Sequence, residues 1–193
     1  MSDNIFKIAL KYLHPLDVGF SINAYKSLPF FKKMELTPND LTGMSIIFGL
    51  LSVIFLYRKN PYLAIVCSII SYFFDTADGI YARKYNMVTQ FGDYLDHISD
   101  IIQYIIYIGI LVFKYDMLKH KWIIWVLMPL QLFGLSLYLG CIEKIYTKES
   151  SKTLAPFRKV CVIDHNKYVK ILKYFSPINN LIILYIVTIL LVK

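Results

Sequence analysis

Apolar and polar positions divide the chain into long apolar blocks separated by short charged segments. None of the blocks carries the polar face, repeated every 3.6 residues, that a soluble helical bundle requires. With their flanks, the blocks approach the roughly 20 residues that a helix needs to span a membrane. The pattern therefore predicts an all-α, polytopic integral membrane helix bundle with five spans, at 41–57, 61–74, 101–113, 122–142 and 177–192.

The N-terminal segment has a different pattern. Within residues 4–13, Ile5 and Ile8 lie on one helical face while Lys7 and Lys11 lie on another. This arrangement is typical of an amphipathic helix in the membrane interface, and a short helix packed on its own protein is the alternative. We therefore divide the chain into an N-terminal juxtamembrane segment, 1–38, and a transmembrane domain, 39–193.

The start of the first span carries local signals. Pro38 interrupts any preceding helix, and Asn39 or Asp40 can cap the free N–H groups of the helix that follows. Small residues allow helices to approach closely in membranes, so we expect Gly43 and Gly49 to lie at helix contacts.

Composition and charge support the membrane interpretation. Hydrophobic residues make up 57% of the chain, above the roughly 45–50% of soluble proteins. If the spans alternate from a cytoplasmic N-terminus, most of the 21 lysines and arginines lie in cytoplasmic segments, as the positive-inside rule requires. Membrane orientation thus accounts for the net charge of +8, and we expect no nucleic-acid binding.

The three cysteines give no sign of a structural role. Cys67, Cys141 and Cys161 are odd in number and widely separated, which fits neither a disulfide framework nor a zinc site. We expect them to be small buried apolar residues.

Acidic residues concentrate in one segment, 73–100, which reads FFDTADGIYARKYNMVTQFGDYLDHISD. Asp75 and Asp78 stand one helical turn apart at the end of the second span, and Asp96 and Asp100 one turn apart at the start of the third. Two antiparallel helices would bring both pairs into one pocket, where cations must neutralise the carboxylates. Oxygen ligands favour Mg²⁺, Mn²⁺ or Ca²⁺. The remaining aspartate, Asp93, is expected to cap the third span.

Small residues and an arginine accompany these aspartates. Gly79, Ala82 and Gly92 leave room for a bulky or phosphorylated ligand, and Arg83 suits phosphate oxygens. Cations and an arginine beside a cavity can stabilise a transferring phosphoryl group. His97 lies one position off the acidic stripe and is expected to be a satisfied polar residue.

The segment resembles a known family. Asp75-x2-Asp78-Gly79-x2-Ala82-Arg83-x8-Gly92-x3-Asp96-x3-Asp100 matches every fixed position of the motif of the CDP-alcohol phosphotransferases. The preceding LTPNDLTGMSIIFGL is also similar to the family's lead into its first span. The resemblance covers about residues 35–115.

The resemblance implies a homodimeric membrane enzyme of phospholipid biosynthesis with six spans, whose catalytic domain here would be 39–193. Such an enzyme transfers a substituted phosphate from a CDP-linked donor, CDP-diacylglycerol or a CDP-aminoalcohol, to an alcohol and releases CMP. It uses two Mg²⁺ or Mn²⁺ ions, and Asp100 would be the catalytic base. The implied metal ligands are Asp75, Asp78, Asp96 and Asp100, and the implied CDP-binding residues are Asp75, Asp78, Gly79, Ala82, Arg83 and Gly92.

The substrates and two other functions stay open. The dipeptide Asp96-His97 resembles the aminoalcohol branch, whereas the short chain resembles the enzymes that use CDP-diacylglycerol. Ile101 replaces the lysine or arginine that commonly follows the last aspartate in branches with phosphorylated acceptors. An intramembrane Mg²⁺-dependent prenyltransferase and a carboxylate-based cation or proton transporter are the alternatives. The two acidic clusters of such a prenyltransferase usually lie far apart in a longer chain, and transport would not require Gly79, Ala82 and Arg83 at these spacings.

Overall fold

The computed structural model describes residues 10–120, 122, 126–145, 155–161 and 165–192, and this part of the chain contains helices and no strand. The predicted all-α class is therefore confirmed. Short 3₁₀ turns connect some of the α-helices, among them Ala155–Val160 and Lys173–Phe175. The α-helices are α1 (Pro15–Lys33), α2 (Pro38–Tyr57), α3 (Pro61–Lys84), α4 (Gln90–Lys114), α5 (Met128–Ile145), α6 (His165–Leu172) and α7 (Pro177–Leu191).

Four helical stretches in the described residues are long and apolar enough to cross a membrane. They are α2, α3, α4 and Val169–Leu191, which joins the end of α6 to α7. The polytopic bundle is thus confirmed, with four of the five expected spans. The other expected span, 122–142, includes residues 123–125, which lie outside the described part, and its described portion, α5, is not among the four.

The helix starts differ in detail from the prediction. Thr37 rather than Asn39 or Asp40 is the N-cap of α2, and it forms a capping box in which Thr37 N donates to Asp40 Oδ2 at 2.7 Å. Thr89 is the N-cap of α4, because its hydroxyl accepts from Gly92 N at 3.0 Å. The prediction that Asp93 caps this helix is wrong, since Asp93 lies inside the first turn.

Buried hydroxyl groups join α2 to α3 along their length. Ser52 Oγ donates to Ala64 O at 2.7 Å. Nearer to the aspartates along the same two helices, Ser45 Oγ lies 3.1 Å from Ser71 Oγ. In a membrane such interhelical bonds satisfy polar groups that lipid cannot. They fix the antiparallel register that places the C-terminal end of α3 beside the start of α2.

A short turn returns the chain from α3 into α4. Asn86, in this turn, has φ 54°, a left-handed conformation that asparagine tolerates better than most residues. α4 then runs parallel to α2 and approaches it closely at Gly49, where an added Cβ would overlap the Gln103 amide. The predicted contact role is confirmed for Gly49 and wrong for Gly43, whose Cβ would meet nothing within 4 Å.

The N-terminal segment contains a helix that the sequence did not predict. α1 buries Ala24, Leu28 and Phe31 in a cluster shared with α2 and α3. Asp17, only 6% exposed, accepts a hydrogen bond from Tyr72 Oη of α3 at 2.5 Å. The predicted amphipathic helix, 4–13, lies mostly outside the described residues, which include only a 3₁₀ turn at Leu10–Tyr12.

The expectation for the cysteines is partly wrong. All three are buried as predicted, but Cys141 of α5 forms a disulfide with Cys161. The two Cα atoms lie 5.0 Å apart because the segment after α5 folds back onto that helix. Gly140 makes this packing feasible, since an added Cβ would overlap the Phe157 carbonyl oxygen.

Candidate active site

Carboxylates from α3 and α4 converge at the end of the bundle where these two helices are connected. Asp75 comes from α3, and Asp96 and Asp100 come from successive turns of α4. One carboxylate oxygen from each of the three lies within 4.8 Å of the others. Asp75 and Asp96 are half-buried, while Asp100 is exposed. The convergence that the spacing predicted therefore exists for these three side chains.

Asp78 has a different environment. It is 4% exposed, and its Oδ2 accepts a hydrogen bond at 2.5 Å from the hydroxyl of Thr42, which is 3% exposed. Among the described residues it does not belong to the group of three converging carboxylates. Asp78 thus lies beside the cluster and is held from the side of α2.

A cavity of about 310 Å³ lies against this acidic region. α3, α4 and the turn between them contribute most of its wall, while α1 contributes Ser21 and the start of α2 contributes Asn39 and Thr42. Asp96 lines the cavity. So do all six residues that the resemblance implies for CDP binding, which are Asp75, Asp78, Gly79, Ala82, Arg83 and Gly92.

Both glycines of this set lie close to polar groups that line the cavity. A Cβ at Gly79 would lie 3.2 Å from Arg83 Nη2, so the Arg83 guanidinium extends back along α3 over Gly79. A Cβ at Gly92 would lie 3.1 Å from Thr89 Oγ1 and 3.4 Å from Asn39 Oδ1. Side chains at either position would therefore displace polar groups that line the cavity.

His97 also lines the cavity. Its Nδ1 lies 2.8 Å from the Asp93 carbonyl oxygen and 3.5 Å from Asp96 Oδ2. The prediction of a satisfied polar residue is confirmed by the first of these contacts. The second places the imidazole next to a carboxylate of the cluster.

The donor set fits a hard divalent cation. Asp75, Asp96 and Asp100 offer only carboxylate oxygens, which Mg²⁺ and Mn²⁺ accept as ligands, whereas the described group contains no cysteine or histidine donor that would favour zinc. Three carboxylates this close repel one another, and a bound cation removes that repulsion. The site can therefore hold the metal that the sequence motif implies.

Sequence reasoning did not assign Thr42 and Asn39 to the site. Thr42 is 36 residues from the aspartate that it contacts. Asn39 was interpreted as a helix cap, because the local pattern around Pro38 gives no information on what α2 faces. The similarity of LTPNDLTGMSIIFGL to the family's lead segment was the only available signal for either residue.

The fold and the site define a class, the helical membrane proteins that have a carboxylate cluster able to hold a divalent cation beside a cavity. Within that class, the family model for CDP-alcohol phosphatidyltransferase matches residues 35–193. The chain belongs to this family. It is therefore a multi-pass membrane protein of the family whose model is described as CDP-alcohol phosphatidyltransferase.

A single stretch is similar to a curated protein of Aquifex aeolicus (strain VF5), described as an uncharacterized protein. The two sequences are 35% identical over 71 residues, which are 37% of this chain. The chain covers 36% of that relative's length. No solved structure matches the chain.

Proposed function

We propose that this protein transfers a substituted phosphate group from CDP-diacylglycerol or a CDP-aminoalcohol to the hydroxyl of an alcohol, with release of CMP. The observation that carries the proposal is the convergence of Asp75, Asp96 and Asp100 beside a cavity lined by Gly79 and Arg83. A nucleotide diphosphate needs this combination of cation ligands, arginine and open backbone.

The donor would lie against α3 and α4. Asp75, Asp78 and Asp96 would hold a metal ion at the diphosphate, with a second ion near Asp100. When bound, two Mg²⁺ or Mn²⁺ ions would supply electrostatic stabilisation of the charge on the phosphate oxygens. Gly79, Ala82 and Gly92 would give the CDP moiety room, and the Arg83 guanidinium would donate hydrogen bonds to phosphate oxygens.

Asp100 would act as the general base. Its carboxylate accepts the proton of the acceptor hydroxyl while that oxygen forms a bond to the phosphorus of the transferred group. The bond from this phosphorus to the bridging oxygen breaks, and its electron pair leaves with CMP. One displacement completes the transfer, with no covalent enzyme intermediate.

The membrane placement follows from charge. We propose that the acidic end faces the cytoplasm, because most of the lysines and arginines lie in segments on that side. The protein would act as a homodimer in the bilayer. Cysteine labelling from either side of a vesicle, with Asp116→Cys and Glu35→Cys at opposite ends of the bundle, tests the orientation.

The activity test uses the purified full-length chain in lipid nanodiscs with Mg²⁺. Labelled CDP-diacylglycerol and CDP-ethanolamine are each supplied with a panel of neutral, amino and phosphorylated alcohols, and CMP is measured. We expect CMP release with one donor and one acceptor class. Asp100→Asn should reduce turnover by at least about 10²-fold, the lower range for a general base, while CDP still binds in the presence of Mn²⁺.

Asp116→Asn is the matched control. Asp116 is an exposed aspartate at the opposite end of α4, where it pairs with Lys119 at 2.6 Å, and the same substitution there should leave turnover unchanged. Normal turnover by Asp100→Asn would refute the assignment of the base. Absence of CMP release from the unmodified chain with every donor and acceptor would refute the proposed reaction.

A further inference from the structure

We propose that Thr42 is a positioning residue for Asp78, which it holds from α2 in the orientation that binds a divalent cation and, through that cation, the diphosphate of the donor. This inference rests on the proposed function and adds a residue from outside the aspartate motif. Thr42 lies in the first turns of α2, whereas the motif lies on α3 and α4.

The geometry of the Thr42–Asp78 pair is specific. Thr42 Oγ1 lies 2.5 Å from Asp78 Oδ2, and the next oxygen near it, the Pro38 carbonyl, is more distant at 3.2 Å. A carboxylate only accepts hydrogen bonds, so the hydroxyl is the donor. A short bond between a hydroxyl and a carboxylate is charge-assisted and among the stronger kinds.

The bond fixes the orientation of the Asp78 carboxylate. Oδ2 is engaged by Thr42 of α2, and the same carboxylate lines the cavity in which a ligand would bind. Both side chains are almost fully buried, which prevents water from replacing the hydroxyl as donor. Without Thr42 the carboxylate would lose its fixed rotamer and a buried hydrogen bond at once.

A neighbouring contact separates this role from simple helix packing. Ser45 is one turn further along α2, equally buried at 3% exposure, and its hydroxyl also bonds to α3, at Ser71. The hydroxyl groups of Ser45 and Ser71 bond within this pair and not to an aspartate of the motif. Loss of either hydroxyl weakens the α2–α3 contact, but only loss of the Thr42 hydroxyl releases Asp78.

The experiment measures cation binding rather than turnover. Mn²⁺ binding to the full-length chain in nanodiscs is titrated by electron paramagnetic resonance, with Mn²⁺ alone and with Mn²⁺ plus CDP. Thr42→Val keeps the shape of the side chain and removes the donor, Thr42→Ser keeps the donor, and Ser45→Ala is the matched control. Residues that orient metal ligands typically contribute about 10- to 100-fold in affinity.

We expect Thr42→Val to weaken Mn²⁺ binding by about 10- to 100-fold and to raise KM for the CDP donor more than it lowers kcat. Thr42→Ser should restore both, and Ser45→Ala should change neither. In an Asp78→Asn background, Thr42→Val should have no further effect on binding, because the residue acts through Asp78.

Three results would overturn the proposal: Mn²⁺ binding by Thr42→Val within twofold of the unmodified chain, an equal loss in Ser45→Ala, or a further loss of the same size in the Asp78→Asn background. If Thr42→Val does not fold, the comparison of Thr42→Ala with Thr42→Ser decides by the same criteria. Failure of the unmodified chain to bind Mn²⁺ also overturns it, whereas binding without CMP release refutes only the proposed function.

Discussion

At the scale of single residues, Gly79 has no side chain, and this leaves the space that the Arg83 guanidinium occupies. An added Cβ would lie 3.2 and 3.3 Å from the two Arg83 Nη atoms, so alanine must shift the guanidinium by a few tenths of an ångström on the cavity wall. We expect Gly79→Ala to raise KM for the CDP donor by about tenfold, which corresponds to about 1.4 kcal/mol, with a smaller change in kcat. Steady-state kinetics with varied donor measures this.

Gly43→Ala is the control for that prediction. Gly43 is also a helical glycine near the same end of the bundle, but an added Cβ there meets nothing within 4 Å. Since alanine is favoured over glycine inside helices, we expect unchanged kinetics and equal or slightly greater stability. An equal rise in KM for both variants would show that Gly79 has no special relation to Arg83.

The residue scale also shows what the sequence could predict about the site. Spacings within one helical turn placed Asp96 and Asp100 on one face, and the structure brings both to Asp75. Local spacing carries no information on partners from another helix, which is why the bond from Thr42 to Asp78 was missed. The same limit applies to Asp17 and Tyr72, which are 55 residues apart.

At the scale of helices, the contact between α2 and α4 depends on Gly49 and Gln103. Gln103 lies one turn beyond Asp100, and its amide fills the space where a Gly49 side chain would be. We expect Gly49→Ala to lower the free energy of unfolding by about 1–3 kcal/mol, as overpacking does. Thermal unfolding in nanodiscs measures the loss.

A second substitution in the same contact tests that explanation. Gln103→Ala removes the overlapping amide, whose Nε2 is buried without a hydrogen-bond partner, so we expect it to cost little by itself. In the double variant it should recover most of the stability that Gly49→Ala loses. Additive losses in the double-mutant cycle would mean that the two residues do not compete for one space.

The helices differ in how well they can be predicted from the sequence. The long apolar blocks predicted α2, α3, α4 and the last span because length and apolarity suffice for a membrane helix. α1 was missed because it mixes polar and apolar residues on every side, and its buried face includes Asp17 and Ser21. The Cys141–Cys161 disulfide depends on the packing of the short 3₁₀ segment Ala155–Val160 against α5, which no periodic pattern encodes.

At the scale of the whole molecule, Asp17 of α1, which is not a spanning helix, links α1 to Tyr72 of α3. Burial raises the pKa of the Asp17 carboxyl, although the hydrogen bond from Tyr72 acts in the opposite direction. Between about pH 4, where an ordinary aspartate ionises, and the raised pKa, the folded chain keeps a proton that the unfolded chain has lost. Its contribution to the free energy of unfolding therefore falls as the pH rises through this window.

Asp17→Asn should remove this pH dependence while keeping an oxygen that accepts from Tyr72. We expect the difference in melting temperature between the unmodified chain and Asp17→Asn to move in favour of asparagine as the pH increases. Glu35→Gln, which neutralises an exposed carboxylate just after α1, serves as the control. A difference that stays constant across the pH range would contradict the assignment.

The carboxylates that can bind a cation also affect the stability of the whole molecule. Asp75, Asp96 and Asp100 repel one another without a cation, so a ligand that binds only the folded state should stabilise it, by about 2.7 kcal/mol at a hundredfold excess over Kd. We expect Mn²⁺ to raise the melting temperature of the unmodified chain and of Asp116→Asn alike.

Asp96→Asn should change both the melting temperature without metal and the response of the melting temperature to Mn²⁺. Removing one of three neighbouring charges relieves repulsion, so the metal-free variant should unfold at a higher temperature than the unmodified chain, while added Mn²⁺ should raise it little further. Lower metal-free stability of Asp96→Asn, together with a full Mn²⁺ response, would mean that Asp96 has a structural role and does not bind metal. Unfolding curves with Mn²⁺ and with a chelator distinguish the two, because only a ligand of the cation links stability to its concentration.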